Sequence, residues 1–234
     1  MPISTKNPTI SVKPVVMAGP TAMPTLTFTE HLNKLNPSLK KYVKNLYKDY
    51  QENAWKFKKK SSPLNQYIKK THNHSEQVFH YYEDHLTTRD TWELAYGGVT
   101  YSTKWKIDIN WLISIWTNES GFVNIIGDRY NIYTHKKNPP EKYSVGIGQV
   151  GIDSAKSILN AHGIDSKGIT IDDLMYFRLL NMDISACILA YKIRQLGIPK
   201  GIMAYNCGDN GVDLGRGNKY WHSIKAIHKT GGWK

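Results

Sequence analysis

A short apolar stretch near the middle of the sequence ends on a single carboxylate. Ile109, Leu112, Ile113, Trp116 and Glu119 fall at helical spacing and Gly121 follows as a stop signal, so the spacing predicts an apolar helix with Glu119 at its C-terminal end. Glu119 lies near the buried stripe. Burial disfavours a charged carboxylate and raises its pKa, which is how a glutamate stays protonated near neutral pH and serves as a general acid. The alternative is an ordinary helix-terminal glutamate with its head in water.

The chain has 234 residues, enough for one substantial domain with an appendage. Hydrophobic content of 40% argues against a wholly disordered chain, and no apolar run approaches the ~20 residues of a membrane span. The formal charge of +12 favours acidic partners, nucleic acid or an anionic wall polymer. That excess divides evenly, +6 up to Thr100 and +6 after it, so neither half is a dedicated nucleic-acid arm. Cys187 and Cys207 cannot make a disulfide framework. Two isolated thiols are expected, with a single bridge as the alternative. No Cys/His spacing matches a zinc motif, and neither metal nor cofactor is expected.

Three regions are expected. Residues 1–27 form a flexible tail: it carries five prolines up to Pro24, and Pro14–Ala18 is too short for the ~7 to 15 apolar residues of a secretory signal. Residues 28–95 form a basic helical region. Leu39, Val43, Leu46, Tyr50, Ala54 and Phe57 make one apolar stripe, predicting a helix from about Ser38 to Lys58. Lys40, Lys41, Lys44 and Lys48 lie on its other face, and Lys58–Lys60 follow before Ser61-Ser62-Pro63 breaks the chain. These lysines are either a solvated face or an electrostatic foothold on phosphate or wall polymer. A second helix is expected from near Ser75, including Val78, Phe79, Tyr82 and Leu86. His72, His74, His80 and His85 read as surface histidines. After Gly97-Gly98 the character changes, and residues 96–234 form the third region.

In that third region Glu119-Ser120-Gly121-Phe122 is followed by Ser144-Val145-Gly146-Ile147-Gly148-Gln149-Val150, then Ser154-Ala155, then Asn181 in a helical segment, then Ala204-Tyr205-Asn206-Cys207-Gly208. This ordered set resembles the lysozyme-like SLT domain of lytic transglycosylases, over about Trp105 to His228. The tract Tyr143–Gln149 is closest in flavour to VirB1-type enzymes and to phage virion-associated transglycosylases. Gly148 stands where many members have Met, Ile152 where many have Pro, and Cys207 where Ala is usual.

The resemblance implies a mainly α, α+β lysozyme-like fold: a helical catalytic domain with a small β-hairpin beside the cleft, preceded by the basic helical region. The spacer with Ile125, Ile126, Tyr130, Ile132 and Tyr133, turning at Gly127-Asp128, is the expected hairpin. The implied activity is cleavage of the MurNAc–GlcNAc bond of peptidoglycan with 1,6-anhydro ring formation. Glu119 would be acid and then base, and the substrate's acetamido group would stabilise the developing cation. Ser144 would bond near the catalytic carboxyl or the acetamido group, Gln149 would contact sugar, Tyr205 would bring a phenol near Glu119, and Asn206 an amide to the cleft wall.

Asp128 reads as a turn residue, or as a second carboxylate if the enzyme is a hydrolytic muramidase. Tyr220 and Trp221 read as core, or as groove lining. Asn181 to Leu196 is the expected central packing helix, with Cys187 in its core. The implied partners are glycan strands, virion or secretion-complex proteins, and weak nucleic-acid contact through the basic helices. The implied setting is virion-associated or at the cell wall, reached without an ordinary signal peptide. A virion structural or DNA-binding protein with a degenerate enzyme fold is the remaining alternative.

Overall fold

The computed structural model describes residues 27–57, 62–78, 88–128 and 136–231. The tail to Pro24, Lys58–Lys60, Phe79, His80, Tyr82, His85, Leu86, Tyr130, Ile132, Tyr133 and His135 lie outside them. The described chain is mainly helical, with one small antiparallel sheet.

Helix α1 (Phe28–Lys34) opens on a capping box, in which Thr27 and Glu30 satisfy each other's backbone N–H groups. Helix α2 (Pro37–Asn53) starts with Asn36 as N-cap, its Oδ1 accepting from Leu39 N at 3.0 Å, and with Pro37 in the first turn. Leu39, Val43, Leu46 and Tyr50 are its buried stripe, as the spacing predicts. The expected end near Lys58 is not reached as α-helix: after Asn53 the chain tightens into a 3-10 turn, Ala54–Phe57.

Helix α3 spans Pro63–Val78, ending close to where the sequence reading starts its second helix. Ser62-Pro63, taken as a break, is the start signal: Ser62 Oγ accepts from Asn65 N at 3.2 Å and Pro63 occupies the first helical position. His72 consequently faces the core and is buried rather than on the surface, while His74 is exposed.

Helix α4 (Thr88–Trp105) contains Gly97 and Gly98 and runs across the 95/96 boundary. These glycines set helix packing, not a linker. A Cβ on Gly97 would lie 2.8 Å from Met182 Sδ, and one on Gly98 2.9 Å from Ile113 Cδ1. Helix α5 (Ile109–Glu119) follows, buried through Leu112, Ile113, Ser114, Ile115 and Trp116. A 3-10 turn at Pro140–Lys142 leads to strands β1 (Ser144–Val145) and β2 (Val150–Gly151), paired antiparallel with Val145 opposite Val150. Among the described residues a hairpin is made by the Ser144–Gly151 tract, which Ile126 joins by a bridge to Val145; Tyr130, Ile132 and Tyr133 of the expected hairpin lie outside them.

The remaining helices are α6 (Ile152–Ala161), α7 (Ile171–Tyr176), α8 (Arg178–Leu196), α9 (Lys200–Asp213) and α10 (Asn218–Thr230). Helix α8 is the axis: its residues from Leu179 to Cys187 are all buried, with α2, α4, α6, α7 and α9 packed around it. A buried carboxylate, Asp183, ties three of these helices together. It accepts from Lys104 Nζ at 2.7 Å, from Trp105 Nε1 at 2.7 Å and from the Tyr42 hydroxyl. Asn36 Nδ2 also donates to the Asp165 and Lys167 carbonyls, at 2.9 and 2.8 Å. The helices of 28–95 therefore share one core with those of 96–234.

Among the described residues no helix is long and apolar enough to cross a membrane. Both cysteines are free thiols, and burial, helped by the charge of Asp183, pushes the Cys187 thiol up to about 11, leaving it unreactive.

Candidate active site

Glu119 is the last residue of α5, and the chain turns away at once. Gly121 adopts φ +59° while its N–H bonds back to the Thr117 carbonyl at 3.0 Å. Glycine is favoured there twice over, by the left-handed backbone and because a Cβ would lie 1.8 Å from Ser75 Oγ and 2.5 Å from its Cβ. Ser120 Oγ donates to the Ile147 carbonyl at 2.9 Å, so the end of α5 is tied to the β1–β2 loop. The glutamate is half-buried, not bathed in water.

Its carboxyl is held at about 7, and three influences set that value. Burial is the largest and raises it. A hydrogen bond from Tyr220 lowers it, and the charge of Asp128 raises it again. Tyr220, in the first turn of α10, donates its hydroxyl to Glu119 Oε1 at 2.5 Å. The phenol expected there was that of Tyr205. Tyr205 does lie near enough for the Glu119 charge to raise its own pKa, but its hydroxyl donates to the Gly148 carbonyl at 2.6 Å. The signal for Tyr220 is that it stands with Ile224 and Ile227 on one helical stripe; a phenol on such a stripe needs a buried acceptor.

The loop between β1 and β2 forms a wall beside this helix end, to which Ser120 bonds it. Asn181, fully buried on α8, accepts from Gly148 N at 3.0 Å and donates to the Val145 carbonyl at 2.8 Å. Gly146 has φ +77° and Gly148 presses on α8, where a Cβ would lie 2.3 Å from Ser185 Cβ. That contact explains why Gly148 occupies its position: a methionine would not fit. Trp116 Nε1 donates to Ser185 Oγ at 2.7 Å, joining α5 to the same spot.

Ser144 is part of this wall but does not bond Glu119. Its Oγ lies 2.7 Å from Asp128 Oδ2 and 3.0 Å from Gln149 Oε1, and its one proton goes to the nearer, charged acceptor. Gln149 braces the loop: its Nε2 donates to the Ile125 and Gly146 carbonyls at 3.1 and 2.9 Å, so both amide protons are committed to backbone. Asn206 is exposed on α9, two residues before Gly208, whose φ of +70° breaks the helix.

The structure thus brings Glu119, Tyr220, Tyr205 and Asp128 into one electrostatic neighbourhood, with Ser144 and Gln149 behind Asp128. Among the described residues no group of three or more His, Cys, Asp or Glu side chains is placed to hold a metal ion. Chemically, the site offers one proton-loaded carboxyl near neutral pH and one further carboxylate. Comparison of the chain with protein-family models, with curated proteins and with solved structures returns no match.

Proposed function

We propose that the protein is a peptidoglycan lytic transglycosylase. The observation that carries this reading is Glu119: a half-buried carboxyl at a helix end, held at about 7, with a tyrosine hydroxyl on one oxygen. Such a group carries its proton at the pH where it works and gives it up to a leaving oxygen. The ordered motifs from Glu119 to Gly208 supply the substrate class.

Glu119 protonates the oxygen between N-acetylmuramic acid and N-acetylglucosamine. The acetamido carbonyl of the muramoyl sugar closes on C1 as that bond breaks. Glu119, now ionised, accepts the proton of the muramoyl O6 hydroxyl. O6 then attacks C1, displaces the acetamido oxygen and closes the 1,6-anhydro ring. Because Glu119 is both acid and base, a pKa near the working pH serves both halves of the cycle. Tyr220 moderates the value: its bond favours the ionised form that must exist between the two steps. The net charge of +12 suits an anionic wall, and the role we assign is local opening of that wall for a phage genome or a secretion machine.

A hydrolytic muramidase is the second reading, favoured by the position of Asp128 beside Glu119. The two differ in product. Purified murein incubated with the protein should release anhydromuropeptides, read by mass spectrometry, and Glu119→Gln should release none. Reducing ends alone would establish hydrolysis, and no cleavage by the wild type would remove both enzymatic readings.

A further inference from the structure

Asp128 is held more firmly than a turn residue requires. Its backbone sits at φ +53°, which costs a non-glycine residue roughly 1 kcal/mol. Asn138 Nδ2 donates to its carbonyl at 2.7 Å, and Ser144 donates to Oδ2 at 2.7 Å. Ser144 is itself set on β1, which β2 and Ile126 flank. The preceding Gly127 lets the segment lie flush on this wall, since a Cβ there would come within 2.1 Å of Gln149 Oε1. The other oxygen, Oδ1, meets no donor among the described residues, and the side chain is exposed. The result is a pinned carboxylate with one oxygen directed to no protein group among the described residues, set through Ser144 on the hairpin whose loop is bonded at Ile147 to Ser120, the neighbour of Glu119.

A carboxylate only accepts hydrogen bonds, so its ligand must be a donor. Resting on the glycan-cleaving reading above, we propose that Asp128 is a second catalytic residue, which accepts the N–H of the substrate's 2-acetamido group and turns its carbonyl oxygen onto C1. As the amide oxygen bonds to C1 and the glycosidic bond breaks, the leaving oxygen takes the Glu119 proton and the amide becomes a cationic oxazolinium. Its N–H, which donates to the Asp128 carboxylate throughout, gains positive charge, so the hydrogen bond becomes an ion pair as well and the contact strengthens in the transition state. When O6 attacks C1 the C1–amide bond breaks, the acetamide is restored, and the O6 proton returns to Glu119. Asp128 keeps no proton. The consequence is selectivity: glycans with a free amine at that carbon bind but offer no carbonyl to attack.

The experiment compares wild type, Asp128→Asn and Ser144→Ala on murein glycan and on the same glycan de-N-acetylated. On the N-acetylated strand Asp128→Asn should lose about a hundredfold or more in kcat with KM changed only a few-fold, and Ser144→Ala about tenfold, because the carboxylate remains but loses its tether. Anhydro ends should persist. On the de-N-acetylated strand the wild type should be slow and Asp128→Asn no slower. Activity of Asp128→Asn within about threefold of wild type on the N-acetylated strand overturns the proposal. So does a change of product from reducing to anhydro ends, which would make Asp128 a base for water. A wild type that cleaves neither strand instead brings down the glycan-cleaving reading itself, and this inference with it.

Discussion

Glu119 and Tyr220 form a pair whose two hydrogen-bonded states differ in charge, and the energetics of the site follow from that. Burial and Asp128 push the carboxyl up while Tyr220 pulls it down, giving about 7. A general acid must be protonated, so activity should fall as pH rises through that value. Removing the hydroxyl in Tyr220→Phe deletes the influence that lowers the pKa. The alkaline limb of kcat/KM should therefore move to higher pH, by about half a unit or more, and the rate at its plateau should fall because ionised Glu119 loses its donor. A limb that stays in place would mean that the phenol does not act on Glu119. In stability terms the sign is also fixed. A carboxyl at about 7 in the folded chain against 4.5 unfolded favours folding below about 4.5, and that support is lost as pH rises through 7. Glu119 was legible in the sequence because a carboxylate closes an apolar stripe next to a glycine. Tyr220 was less so, because an aromatic on a stripe usually means core, and only its partner distinguishes the two.

At the level of elements, the β1–β2 loop is stiff because every turn of it is bonded to a different helix. Asn181 holds it from α8, Ser120 from the end of α5 and Tyr205 from α9. Asn181→Ala would strand the Gly148 N–H and the Val145 carbonyl without their partner in a dry interior. That should cost about 2 to 5 kcal/mol, measured by urea unfolding, and loosen the loop beside Glu119 enough to lower kcat. A loss below about 0.5 kcal/mol would show that water or other groups replace the clamp. The sequence placed this Asn on a helix but not its role, since two hydrogen bonds to backbone across 33 and 36 residues leave no local pattern. The same holds for Ser62-Pro63, where one dipeptide serves as either a break or a helix start. What lies downstream decides: Leu64, Tyr67 and Ile68 recur at helical spacing and His72 extends the same buried face.

Over the whole molecule, the basic N-terminal helices are part of the core rather than an arm attached to it. Asp183 joins Tyr42 of α2 to Lys104 and Trp105 of α4 inside the same packing that fixes α8. The 95/96 boundary drawn from the glycine pair falls within α4 because close helix contact and chain reversal both call for glycine, and composition does not separate them. The amphipathic period, by contrast, survived folding in α2, where Leu39, Val43, Leu46 and Tyr50 recur on one face, whereas α8 is buried all round from Leu179 to Cys187. Helices α5, α9 and α10 meet at a single proton held at Glu119. The most direct measurement is the titration of that carboxyl carbon by NMR in selectively labelled protein, with Glu119→Gln identifying the signal. The account expects a midpoint near 7, well above every solvent-exposed glutamate; a midpoint at the ordinary 4 to 5 would contradict it.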